Sequence, residues 1–142
     1  MEHDEERRTT ARQLKNRRES LRAAEEAYCE ALAKAGLHPP VLSMDGGRRQ
    51  QNATGDPTAR SAALISRAED RLLTAQRWAR LGDDVAMMVS REAQDVFDML
   101  YTDGMNCRRV AEVLHVQRQA VYRWNDEILL TATVLAKERG LI

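Results

Sequence analysis

The stretch VAEVLHVQRQAVYRW, residues 110–124, constrains the fold more than any other part of the chain. Its apolar residues Val110, Leu114, Val116, Val121 and Trp124 do not alternate as a strand would. On one uninterrupted helix they would scatter around much of the circumference. Two short helices joined by a tight turn accommodate all of them. Asn106 then caps the first helix, over 107–114, and Val110 and Leu114 face inward. Ala111 sits where the two helices touch, because a larger side chain would push them apart. His115 takes the left-handed conformation at the turn, which histidine tolerates better than branched residues do. Val116 plugs the core, Gln117 starts the second helix, and Val121 and Trp124 return to the interior. The spacing predicts a helix-turn-helix over 106–126.

The rest of the chain also reads as helical. Aromatic residues are only 4% of the total while Leu, Ala, Arg and Glu abound, which suits helices and not a β-sandwich. Residues 5–35 predict one charged helix, in which Leu14, Leu21, Tyr28 and Ala35 recur every seven residues with Leu32 beside them. Gly36 and then Pro39-Pro40 stop it. A thin apolar stripe on so charged a helix predicts a seam for self-association, with packing against the last helix as the alternative. Residues 36–55 carry Pro-Pro, Gly-Gly and polar residues without a period and predict a flexible linker, disordered over much of 45–55. Asp56-Pro57 predicts a helix start, and Leu64, Ala68, Leu72, Ala75 and Ala79, widened by Ile65 and Trp78, mark its inner face. Gly82 is expected to close that helix near Leu81, with Asp83-Asp84 opening a short connection.

Ser90 then caps a helix with Ala93, Val96, Phe97 and Leu100 inward, ended by Thr102-Asp103-Gly104. A last helix over 118–139 carries Val121, Trp124, Ile128, Ala132 and Leu135 on one stripe and stops at Gly140. The expected architecture is all-α: an N-terminal charged helix (1–35), a linker (36–55) and a helical domain (56–142) holding a long helix and the C-terminal helix-turn-helix.

The outward residues of that motif carry chemistry suited to duplex DNA. Gln117, Arg118, Gln119, Tyr122 and Arg123 lie on the exposed start of the second helix, the part that enters a major groove. Arginine can hold a guanine edge with two hydrogen bonds, and glutamine can do the same for adenine. Asn106, Arg108 and Arg109 are placed for the phosphate backbone, and the two helix N-termini offer free N–H groups to it. The formal net charge of zero argues weakly against a nucleic-acid partner. It conceals segregation, however: residues 106–125 carry four arginines against Glu112, whereas residues 83–103 carry six acids against Arg91. The acidic run reads as a solvated face, or else as a contact for a basic partner such as polymerase.

The segment GMNCRRVAEVLHVQRQAVYRW resembles the fourth region of the sigma-70 family. The larger plan adds a charged helix, a polar linker, DPTA at 56–59 and a long helix before it, and resembles phage late-gene transcriptional regulators of the ArpU and RinA type. That resemblance covers most of 56–139. It implies sequence-specific binding near a phage promoter and activation of late genes, with Gln117, Arg118, Gln119, Tyr122 and Arg123 at base-facing positions. His115 departs from the glycine usual at the turn, and the aromatic-rich promoter-melting segment of a full sigma factor is missing.

The expected partners are therefore duplex DNA, a second copy of the chain, since pairing two readers supplies affinity and half-site spacing, and host RNA polymerase as a further candidate. Two alternatives belong to other classes. A small terminase subunit also couples a helix-turn-helix to a helical oligomerisation segment, although it usually places the DNA-binding part first. A helical polymerase adaptor without DNA contact would suit the zero net charge. No Gly-rich phosphate loop, metal cluster or nucleophile–base pair appears, so neither an enzyme nor a cofactor is expected. Cys29 and Cys107 form no metal motif, and His3 and His38 have no second ligand at useful spacing. Cys107 reads as a partly buried thiol, Trp124 as core, and Met87, Met88, Met99 and Met105 as gap-fillers. The opening MEHDEERR is too polar for a signal peptide, and no apolar run approaches the roughly 20 residues that span a bilayer, so a cytoplasmic protein is expected.

Overall fold

The computed structural model describes residues 2–37 and 59–142. Most of the expected linker, the disorder expected over 45–55, the Asp56-Pro57 helix start and His38 lie outside them. Among the described residues the chain is all-α, without a strand. Its helices are α1 (Glu2–Lys34), α2 (Ala59–Met88), α3 (Arg91–Phe97) running into a π-helical turn (Asp98–Thr102), α4 (Cys107–Leu114) and α5 (Arg118–Glu138). No described helix is long and apolar enough to cross a membrane. The described residues form two compact units, one from Met1–Arg18 with Arg77–Ile142 and one from Glu19–Gln76. Both α1 and α2 contribute to each unit.

Within the smaller unit, Ala24 and Leu32 of α1 and Ala75 of α2 are buried. Lys34 pairs with Glu30 one turn earlier, at 3.8 Å. Gly36 then adopts φ 77°, and the N–H of Leu37 reaches back to the carbonyl of Leu32 at 2.8 Å, a left-handed stop of the kind expected there. Along the whole of α1 the inward positions are Thr10, Leu14, Arg17, Leu21, Ala24, Tyr28, Ala31 and Ala35, all buried or half-buried at alternating steps of three and four. The sevenfold stripe seen in the sequence is one half of this series. Of that stripe Leu14 is buried, and Leu21, Tyr28 and Ala35 are half-buried. The other half was hidden because threonine, arginine and alanine carry little hydrophobic signal.

The larger unit holds the main core. Leu14, Trp78, Leu81, Val85, Val96, Phe97, Val110, Val121 and Ile128 are all buried there, with Leu114, Val116 and Trp124 packed against them. Each such large side chain contributes about 1.5–3 kcal/mol by leaving water. Thr10, Leu14 and Arg17 of α1 are buried, as are Gly82 and Val85 of α2 and Val89 just beyond it.

Here the structure corrects the reading of α2. Gly82 does not end the helix, and Asp83-Asp84 does not open a connection; α2 continues unbroken to Met88. The glycine serves a close approach instead. A Cβ at position 82 would lie 2.7 Å from both Cδ and Nε of Arg17. Two further expectations fail: Leu64 is 46% exposed, and Met87 and Met88, at 81% and 62%, are surface residues and not gap-fillers. Met99 and Met105 do pack against the core.

Ser90 caps α3 by accepting the N–H of Ala93, at 3.4 Å. Glu127 of α5 fastens this cap: its carboxylate accepts from the Ser90 N–H at 2.6 Å and from the Ser90 hydroxyl at 3.0 Å. Past Phe97 the helix widens, and the N–H of Asp103 reaches the carbonyl of Asp98 at 2.9 Å, five residues back. Gly104, at φ 76°, then turns the chain toward α4.

Two ion pairs join α1 to α5, one exposed and one part-buried at Glu6. Lys137 lies 2.7 Å from the Glu6 carboxylate, and Arg7 pairs with Asp126. Lys137, by hydrogen bond and charge, holds the Glu6 carboxyl below its ordinary range against an opposing effect of burial. A carboxyl depressed in the folded state adds stability that is present above its unfolded pKa and is lost as pH falls through the folded one. Glu6→Gln should therefore shift the acid limb of a pH–stability curve and leave the neutral-to-alkaline shape unchanged; a curve altered only above pH 7 would contradict this pairing.

Candidate nucleic-acid interface

The motif that dominated the sequence forms as its residues dictate. The Asn106 side-chain oxygen accepts the N–H of Arg109 at 2.8 Å and so caps α4. Val110 and Ala111 are buried beneath it. His115 ends α4 with φ 57° and ψ 44°, the left-handed corner expected there, and among the described residues it is the only one other than glycine with positive φ. The N–H of Val116 bonds the carbonyl of Ala111 at 3.1 Å and closes the turn. Gln117 is extended, and α5 starts at Arg118. Replacing His115 by valine should cost about 1–2 kcal/mol, since a branched side chain resists the left-handed region, whereas glycine should be tolerated. Chemical denaturation of both variants checks this, and equal stabilities would refute the role given to the corner.

Each residue expected to read bases is exposed. Gln117, Arg118, Gln119, Tyr122 and Arg123 face solvent, while Val121 between them is fully buried and anchors the helix. Among the described residues Arg118 and Arg123 engage no acid and no hydrogen-bond partner. The expected backbone contacts sit differently. Arg108 and Arg109 are exposed but share one acid, Glu112, at 3.5 and 3.4 Å. The Asn106 oxygen is committed to its cap. At the α5 N-terminus the Gln117 side chain caps nothing, which leaves the first N–H groups of a long helix open to solvent.

The acids nearest this edge all have partners. Asp126 pairs with Arg7, Glu127 holds Ser90, and Glu112 holds the two arginines of α4. Of the acidic run 83–103, Asp84 bonds Arg139 at 2.6 Å. Asp83, Glu92, Asp95, Asp98 and Asp103 are each exposed. The arrangement therefore presents unpaired cations at the start of α5 and compensated anions around them, a local field that a net charge of zero conceals.

Two buried polar residues back the start of α5. Tyr101, on the π-helical turn, donates its hydroxyl to the Asn125 side chain of α5. Burial raises its pKa, so the phenol stays neutral and keeps that proton. Arg17, 4% exposed, donates to the Tyr101 carbonyl at 2.6 Å, to the Thr102 hydroxyl at 2.9 Å and to the Leu14 carbonyl at 2.9 Å. Its guanidinium also stands 5.1 Å over the Phe97 ring. Burial, and next the charge of Arg18, lower its pKa, with Asp83 and Asp98 opposing. Arginine starts so high that it remains a cation. Its position in phase with Leu14 and Leu21 was the available signal, an arginine standing inside an apolar stripe.

No group of three or more potential metal ligands comes together among the described residues. Cys29 is exposed and Cys107 half-buried, and both are free thiols. Comparisons of the chain with protein-family models, with curated proteins and with solved structures return no match.

Proposed function

We propose that this chain is a sequence-specific DNA-binding transcriptional regulator of the phage late-gene type, which sets the N-terminal part of α5 into the major groove. The observation that carries the reading is the left-handed corner at His115, beyond which five polar side chains stand exposed around a buried Val121. In this reading Arg118, Gln119 and Arg123 approach base edges, Gln117 and Tyr122 flank them, and the open α5 N-terminus takes a phosphate. Arg108 and Arg109 reach the backbone by exchanging Glu112 for phosphate, which costs little because exposed ion pairs are weak. The resemblance of 104–124 to the fourth region of sigma-70 factors supports the same reading, as does the likeness in layout to late-gene regulators.

A second copy belongs to the proposal, because one motif covers few base pairs. The half-buried Leu21, Tyr28 and Ala35 of α1 are the proposed seam for that contact. Host RNA polymerase is a further proposed partner, through the exposed acids of 83–103.

Selection of bound fragments from the source genome, followed by footprinting, tests the proposal. Protection of a discrete site is expected, with affinity falling steeply as salt rises. No binding to any fragment at about 50 mM salt would refute it and favour a helical adaptor, because low salt reveals even nonspecific association.

A further inference from the structure

We infer that Arg7, at the far end of the sequence from the reading helix, belongs to the DNA interface by masking the carboxylate of Asp126. The inference rests on the proposed role of α5. Gln119, Tyr122 and Asp126 follow one another at steps of three and four, so they share one outward stripe of that helix, and all are exposed. A duplex met by Gln119 and Tyr122 next meets position 126, about 6 Å further along the axis. An acid is the wrong group to present to phosphates there, because like charges a few ångströms apart repel strongly near a low-dielectric surface.

The structure resolves this conflict through α1. Arg7 pairs with Asp126 across a separation of 119 residues. The neighbouring pair of Glu6 with Lys137 holds that turn of α1 against α5. The next acid along α5, Glu127, is already committed to the Ser90 cap. Asp126 is thus the one acid of the reading stripe whose charge depends on a distant element. Both partners are about half exposed, with side chains at 44% and 58%, and exposed pairs contribute little to folding. The effect of Arg7 therefore falls on the field that DNA meets and hardly on stability. This gives the first turns of α1 a role at the interface.

The test is a double-mutant cycle on DNA binding with the full chain. Dissociation constants are measured for wild type, Arg7→Ala, Asp126→Asn and the double variant, on a selected fragment and on a random duplex at about 50 mM salt. Arg7→Ala should weaken both duplexes about threefold to tenfold. Asp126→Asn should bind at least as tightly as wild type, and the double variant should return to within about twofold of it. Arg7→Lys, which keeps the charge, should bind nearly as wild type. Thermal unfolding of all four variants should coincide with that of wild type, as weak exposed pairs require. Unchanged binding of Arg7→Ala, or a double variant as weak as Arg7→Ala, overturns the inference while leaving the reading of α5 intact. A wild-type protein that binds no duplex overturns both.

Discussion

Arg17→Met should lower the free energy of unfolding by about 2–3 kcal/mol, although the substitution replaces a charge with an apolar side chain in an apolar setting. The methionine keeps much of the volume but none of the donors. The Tyr101 carbonyl and the Thr102 hydroxyl then lose a charged partner at the end of the π-helical turn, where carbonyls have no helical successor to bond them. Buried acceptors left unpaired cost about 1–3 kcal/mol, and bonds to a charged donor are the stronger kind. Lysine should not rescue, because an ammonium lacks the planar fork that serves several acceptors at once.

Gly82 makes the prediction sharper. In a helix interior alanine is favoured over glycine by about 1 kcal/mol, so local propensity alone predicts that Gly82→Ala stabilises. The added Cβ would instead stand 2.7 Å from Cδ and Nε of Arg17. Those atoms cannot swing aside, because the guanidinium beyond them is held at three acceptors. Gly82→Ala should therefore destabilise by about 1–3 kcal/mol in the wild-type background. With Arg17→Met the flexible thioether yields, and the same substitution should become neutral or favourable. Urea unfolding of the four proteins reads the cycle, and additive effects would show that the two residues do not constrain each other.

The second large effect concerns recognition. Arg123→Ala should weaken binding to the selected site by about 1–3 kcal/mol and relax preference at one base pair, with much less effect on random DNA. The residue is exposed and unpaired among the described residues, so its removal leaves no orphaned partner inside the protein, and stability should not change. Arg108→Ala should behave differently. It should weaken all duplexes alike and reduce the salt slope by about one unit, in the manner of a phosphate contact, with Glu112 still held by Arg109. Equal losses on specific and random DNA for Arg123→Ala would contradict its assignment to a base.

The segment from Asn106 to Arg123 was legible in the sequence because its determinants are local. A cap acts three residues away, a left-handed corner acts on its own backbone, and the alternation of buried and exposed positions follows one helical period. Ser90 and Gly104 were legible for the same reason. The role of Gly82 is not legible in the same way, because its cause is not local. A glycine that ends a helix and a glycine that admits a neighbouring side chain look identical in one dimension, and only the presence of Arg17 across the gap distinguishes them. The exposure of Met87 and Met88 is hidden for a related reason: an apolar residue near the end of a helix is covered only if another element happens to lie over it.

By itself, then, the sequence determined that this protein is all-α, where α4 turns into α5, and which side chains beyond His115 face outward, since each depends on hydrogen bonds and dihedral angles within a few residues. Only the tertiary structure decided how charges separated by about a hundred positions are distributed. It placed Arg17 beneath the π-helical turn and Arg7 against Asp126, because electrostatic and polar pairing depends on distance in space and leaves no period along the chain.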